Sequence, residues 1–263
     1  MSETPLRSYN LHFSPKLTTI FPPLFVSSEG ALRAPAALPS RVDLRDKFTC
    51  PVYDQGNLGS CTANAICALL QLRLKGMMPS PSRRFLYHVE LGLDSDLGSD
   101  AGSTLESGLQ ALLKYGICAE ATCPYVDNEE IVCQQLPSSA AFVEAAQNKL
   151  PAGTVMHVPL QISLFKQALA DGLPLAVGIM VYSSFETSVV TETGNIPLPS
   201  KSGEQCLGGH AVCLCGYDDA KQSFLLKNSW GPSWALQGYA WLPYSYVSDP
   251  VLTSDAVCLA SRV

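Results

Sequence analysis

The sequence predicts an α+β fold of two lobes, a helical one followed by a sheet-rich one. Segments with apolar residues at helical spacing crowd the first half, and short apolar or alternating runs separated by Gly and Asp turns crowd the second. The composition permits this: 263 residues, 47% hydrophobic and 15% charged, supply a full core and exclude a disordered or coiled-coil chain.

Residues 1–38 carry Pro, Ser and isolated hydrophobics without a helical period, as in Phe21-Pro22-Pro23-Leu24-Phe25-Val26, and predict an extended arm. The folded body is expected to start near Leu38-Pro39-Ser40. Ile66, Leu69, Leu70 and Leu74 follow the i, i+3, i+4, i+8 pattern, so a buried helix opens at Cys61 with Ser60 as N-cap and Gly76 as stop. Arg83 to His88 reads as helical. A further helix begins with the capping-box pair Ser103 and Glu106, carries Leu105, Leu109, Leu112 and Leu113 on one face, and ends at Gly116. Another runs from Ser163 to Asp171, stopped by Gly172 and Pro174. Strands are expected at Leu175–Val181, Ala211–Tyr217, Phe224–Lys227 and Tyr239–Leu242. The helical lobe is therefore assigned to 39–145 and the sheet-rich lobe to 146–263.

Several function classes are excluded. With 17 basic against 23 acidic side chains the net charge is −6, which lacks the electrostatic footprint of a nucleic-acid binder. The longest apolar stretches, such as Leu173 to Val181, fall short of the ~20 residues that span a bilayer, so no membrane partner is expected. Ten cysteines are present, and Cys213 and Cys215 read as core residues. Neither Cys118, Cys123 and Cys133 nor Cys206 with His210 has the C-x2-C spacing of a zinc site, so no metal and no cofactor is expected. The same lack of a C-x-x-C pair counts against a redox sensor.

Cys61 is the sharpest chemical signal, because a helix N-terminus carries about half a positive charge that favours a thiolate. The loop before it, Asp54-Gln55-Gly56-Asn57-Leu58-Gly59-Ser60, brings backbone N–H groups and the Gln55 amide toward the sulfur, the donors an oxyanion hole needs. A thiol nucleophile wants an imidazole and a third group to orient it. His12 lies in the arm, His88 in a helix and His157 among apolar residues. His210 differs: it sits in Gly208-Gly209-His210-Ala211-Val212, where glycines permit close backbone approach. Eighteen residues on, Asn228 offers an amide to orient the ring and Trp230 a cover against water.

Gln55…Gly59-Ser60-Cys61, Gly209-His210-Ala211-Val212 and Asn228-Ser229-Trp230-Gly231 resemble the three active-site blocks of the papain-like cysteine proteases. His210 and Asn228 lie 149 and 167 residues after Cys61, against roughly 130–150 for the papain and cathepsin signature. The likeness starts at Leu38-Pro39-Ser40-Arg41-Val42-Asp43-Leu44-Arg45 and runs to the end of the chain. It implies a papain-like two-lobe unit over 39–263, the nucleophile in the helical lobe, His and Asn in a sheet or barrel lobe, and a cleft between. Carried over residue by residue, Cys61 is the nucleophile, His210 the general base and then acid, Asn228 the orienting group and Gln55 an oxyanion donor. Gly102 and Ser103 would pair with an extended substrate peptide, Gly209 would leave space beside it, Trp230 would shield the His210–Asn228 pair, and Asp255 would favour a basic substrate side chain.

The departures from the family pattern also speak. Where the signature reads C-G-[SA]-C-[WY], this chain has Leu58-Gly59-Ser60-Cys61-Thr62, and Gly98-Ser99-Asp100-Ala101 replaces a Cys-rich segment. At least two family disulfides cannot form, while Cys206 and Cys258 can still pair. Such a chain is most similar to the prokaryotic and large-virus branch. Without a basic-then-apolar leader it is expected in the cytoplasm or delivered by a non-classical route. The arm is too short and aperiodic for the long helical propeptide of lysosomal members, yet part of residues 9–38 is expected to lie across the cleft and block it. The function implied is a monomeric cysteine endopeptidase acting on protein or peptide through a Cys61 thioester. The alternatives are a thioester-based transpeptidase or amidase, and a non-catalytic peptide-binding module.

Overall fold

Small residues at the start of the first long helix decide how the two halves of the molecule meet. In the computed structural model, which describes residues 7–14, 21, 38–78, 80–151, 153–200 and 203–260, α1 (Cys61–Arg73) is buried from Cys61 to Gln71. Ala65 and Ala68 share one core with Ala211 and Cys213 of the sheet, while Ile66 on another side reaches Gly108 of a neighbouring helix. A helix covered all round needs apolar or small residues on every face. Its last turn closes at Leu74, two residues before the expected Gly76 stop.

α2 (Arg83–Asp94) is capped by Ser82, whose Oγ accepts from the Phe85 N–H at 3.0 Å. α3 (Leu105–Lys114) corrects the expected capping box: Thr104 is the N-cap and accepts from the Ser107 N–H at 2.9 Å. Ser103 instead donates its hydroxyl to Asp94 at 2.7 Å, tying the start of α3 to the end of α2. A π-helical turn at Glu130–Gln134 and α4 (Ser139–Gln147), capped by Ser138, complete the helical lobe.

The other lobe is one antiparallel sheet formed by β1 (Arg41–Asp43), β2 (Val155–His157), β3 (Leu175–Tyr182), β4 (Cys206–Asp218), β5 (Ser223–Lys227), β6 (Tyr239–Pro243) and β7 (Thr253–Leu259). Its order is β2-β7-β3-β4-β5-β6, and β1 pairs with the far end of β4 on the edge that β3 leaves free. α5 (Ile162–Ala170), α6 (Ser188–Thr193) and α7 (Tyr244–Ser248) accompany it. β4 is the shared wall. Ala211 and Cys213 join the helical core, while Val212 and Leu214 join the sheet core, because successive strand residues face opposite sides. Among the described residues no helix is long and apolar enough to cross a membrane. All ten cysteines are free thiols. The Cys206–Cys258 pairing is therefore corrected: Cys206 is exposed at the start of β4, while Cys258 is buried in β7 opposite Met156 of β2.

Candidate active site

Gln55 and Ser229 stitch the two lobes together beside Cys61. The Gln55 N–H donates to the Ser229 carbonyl at 2.9 Å, and the Ser229 hydroxyl donates to Gln55 Oε1 at 2.5 Å. Gln55 Nε2 donates to the Leu58 carbonyl at 2.8 Å, which leaves its second N–H uncommitted. Tyr125 supports the loop from behind, donating its hydroxyl to the Gln55 carbonyl at 2.8 Å and lying 2.7 Å from Ser60 Oγ.

Cys61 is the first residue of α1, and Ser60, at the N-cap position, makes no side-chain cap. The uncapped N–H groups of Cys61 and Thr62, joined by that of Ala211, turn to the sulfur instead. Burial still dominates and pushes the Cys61 thiol up to about 12, those N–H groups opposing it.

His210 stands on β4 opposite Ile179 of β3, and Asn228 follows directly on β5. His210 Nε2 donates to Asn228 Oδ1 at 2.8 Å, and the same oxygen accepts from the Ser229 N–H at 2.9 Å. Trp230 stacks on the imidazole at 5.0 Å and 23°, and is itself met edge-on by Phe185 and Trp234. Burial lowers His210 to about 4, against the hydrogen bond to Asn228 that favours the charged ring. Nδ1 has no hydrogen-bond partner and is the nitrogen left to take a proton. A cysteine on a helix start, an imidazole on a strand, an orienting amide and a further donor thus converge where the lobes meet.

The papain family cysteine protease model matches residues 38–257. The chain belongs to the papain family of cysteine proteases. A peptidase C1-like protein of Acanthamoeba polyphaga mimivirus is 37% identical over 227 residues, 81% of this chain and 72% of that one. Xylellain, a cysteine protease from Xylella fastidiosa, superposes with a TM-score of 0.78 at 32% identity, covering 92% of this chain and 96% of its own. The fold alone is shared with digestive procathepsin L 3 of Tenebrio molitor, at 20% identity and a TM-score of 0.68 over 93% and 75% of the two chains. The protein is a cysteine peptidase, and protein is the substrate class of its family.

In this papain-family protease a segment of its own chain runs through the junction of the lobes. Of the arm expected over residues 1–38, residues 7–14, 21 and 38 are described, and the rest of the Pro-Pro stretch lies outside the described residues. The Leu11 N–H donates to the Gly209 carbonyl at 3.2 Å on one side, and the His12 N–H donates to the Ser103 carbonyl at 2.9 Å on the other. Gly102 holds φ +81, and a side chain there would collide with the Asn10 backbone. Tyr9 meets His210 and Trp230 edge-on, Arg7 lies 4.0 Å over the Trp230 ring, and both reach Glu186 of the turn after β3. Cys61 and His210 are left with 0% exposure.

Leu11 packs toward Gly178, which Ser254 also approaches. Asp255 is next in sequence, but its carboxyl is buried and takes hydrogen bonds from the Ser254 hydroxyl and the Ser14 backbone. Burial raises its pKa. Arg7, Tyr9 and Glu186 were not foreseen as site residues. Glu186 carried no motif, and the arm's aromatic and basic residues have meaning only once the cleft they enter is known.

Proposed function

We propose that this cysteine peptidase is an endopeptidase kept latent by its own residues 7–14. The observation that carries the reading is the pair of main-chain bonds from Leu11 to Gly209 and from His12 to Ser103, donated by the arm to both lobes beside a nucleophile without solvent access. Unsatisfied main-chain groups on the two walls of a cleft are what an extended peptide binds. The arm occupies that edge, and a substrate would replace it along Gly102–Ser103 and Gly209.

Once the cleft is open, Cys61 gives its proton to His210 Nδ1, and the thiolate attacks the substrate carbonyl carbon. The oxyanion is met by the Cys61 N–H and the free Nε2 hydrogen of Gln55. The imidazolium, held by Asn228, protonates the leaving amine and a thioester remains. Water, deprotonated by His210, attacks the thioester and releases the acid and the Cys61 thiol. All four groups come from one chain, so a monomer suffices.

In the covered cleft burial raises the thiol and lowers the imidazole, so both are held neutral. Water entering on removal of the arm reverses both shifts and allows the ion pair. The test is intact mass after brief iodoacetamide treatment near pH 5, where an ordinary thiol is only about 0.03% ionised. Full-length protein is compared with protein lacking residues 1–38 and with full-length Tyr9→Ala/Leu11→Asp, each with and without Cys61→Ala. One adduct on the opened forms, absent with Cys61→Ala, is expected. Equal labelling of closed and opened forms would remove the inhibitory role, and no labelling would remove the activated nucleophile. Product analysis with a competing amine acceptor separates hydrolysis from transfer.

A further inference from the structure

Behind the nucleophile, three helices meet on a carboxyl group that the chemistry above does not use. Glu90 of α2 has 0% exposure. Its Oε2 accepts from the Thr62 hydroxyl at 2.5 Å, and its Oε1 has no partner. α3 makes room for it through Gly108, where any side chain would overlap Glu90 Oε1 and Ile66. Among the described residues no cation pairs with it. The titratable groups around it are Asp94 on its own helix and Cys61 and Cys67 on α1, while α3 brings the bare Gly108 to the contact. A carboxylate enclosed this way, with a single donor, is far costlier than the neutral acid.

Thr62 is the residue after the nucleophile, where the family signature has an aromatic. The first turn of α1 has no Ser60 side-chain cap, and its N–H groups are turned to the sulfur. Something other than a cap must then fix how that turn presents Cys61, and the Thr62 hydroxyl bond to Glu90 is available to do it.

We propose that Glu90, as an uncharged carboxylic acid, is a positioning residue that holds Thr62 and through it the Cys61 turn, and that its ionisation disables the nucleophile. The inference rests on Cys61 being that nucleophile. Burial pushes the Glu90 carboxyl up to about 8, opposed by the Thr62 bond and aided by Asp94. Below that pH the acid is neutral. Above it, a negative charge appears beside the Cys61 thiolate, whose own proton affinity the Glu90 charge increases.

Two measurements test this. Infrared difference spectra of the full-length protein between pH 6 and pH 9 should show the C=O stretch of a protonated carboxylic acid that vanishes on alkalinisation and is missing in Glu90→Gln. In the Tyr9→Ala/Leu11→Asp background, kcat/KM against a peptide substrate is then followed with pH. Glu90→Gln, neutral at every pH, should hold its activity at pH 9 where the parent has fallen about tenfold, one pH unit beyond the titration. Thr62→Val keeps the shape but removes the hydroxyl, and should lower kcat about tenfold with KM unchanged. An ionised Glu90 at pH 6, or alkaline limbs that coincide in parent and Glu90→Gln, would overturn the proposal. Activity surviving Cys61→Ala would instead overturn the assignment of the nucleophile, a separate failure.

Discussion

His210 stands on β4 and Asn228 directly after β5, both fixed by covalent neighbours and ring stacking, whereas Cys61 stands on a helix end whose side-chain cap is missing. The strand side has its hydrogen bond made at 2.8 Å, a second donor on the same oxygen and an indole stacked on the ring. The helix side has a thiol held neutral by burial, with the uncapped N–H groups of the helix start turned to its sulfur. The sheet delivers a finished base. The helix delivers a nucleophile whose activation waits for water, and the covering peptide acts on both sides, since burial raises the thiol and lowers the imidazole that Tyr9 meets.

Gln55 joins the two sides, and the largest change short of removing Cys61 or His210 is expected from Gln55→Ala. Loss of one oxyanion donor lowers kcat by about 10²–10³-fold. Ser229→Ala is the control, since it breaks the 2.5 Å bond to Gln55 Oε1 but leaves the donor. Equal losses in kcat would mean that Gln55 serves only to join the lobes. Asn228→Ala comes next: it frees the imidazole on the strand side, and kcat should fall about 10²-fold with thiol access unchanged. A fall in KM rather than kcat would contradict an orienting role.

Much of this was legible because the chemistry sits at punctuation points. The helix opening at Cys61 and the run leading to Asn228 follow from local pattern, and the structure has α1 starting at Cys61 and β5 ending at Lys227. The cap of α3 was misread because Ser103 and Thr104 are adjacent candidates. Only the tertiary bond from Ser103 to Asp94 decides between them. β7 was missed because Ser254 and Asp255 interrupt its apolar run, and both polar groups find partners in the arm or each other. Glu90 gave no signal at all. A charged residue in a helical stretch reads as a solvated face until Gly108 and Thr62 are seen to enclose it.

The covered state should itself depend on pH, and the sign follows from His210. Its pKa in the closed cleft is about 4, against 6.5 for a free imidazole, so in Cys61→Ala, where the ring can take no proton from a thiol, the closed form binds fewer protons than a form in which the ring is wet. The advantage of the closed form is complete above 6.5 and is lost as pH falls through 4. Cleavage within residues 7–14 of full-length Cys61→Ala by an added protease, corrected for that protease's own pH dependence on a control peptide, should therefore accelerate from pH 6.5 to pH 4. Glu186→Ala, which removes the anchor of Arg7 and Tyr9, should raise the rate about tenfold at pH 6.5. A rate indifferent to both would mean that the arm is held by its main-chain bonds alone.

The smallest expected effect separates the fold of the helical lobe from its chemistry. Ser138 caps α4, accepting from the Ala141 N–H at 3.2 Å, far from Cys61 in the chain and with a solvent-facing helix behind it. Ser138→Ala should cost about 1 kcal/mol and lower the melting temperature by about 2–4 °C, with kcat/KM of the opened enzyme unchanged. The start of α1 answers differently, because its side-chain cap is already missing and its free N–H groups belong to the sulfur. A loss of activity in Ser138→Ala beyond the unfolded fraction would mean that the helical lobe transmits strain to Cys61 as a unit, and the contrast between a rigid strand side and a locally adjustable helix side would then fail.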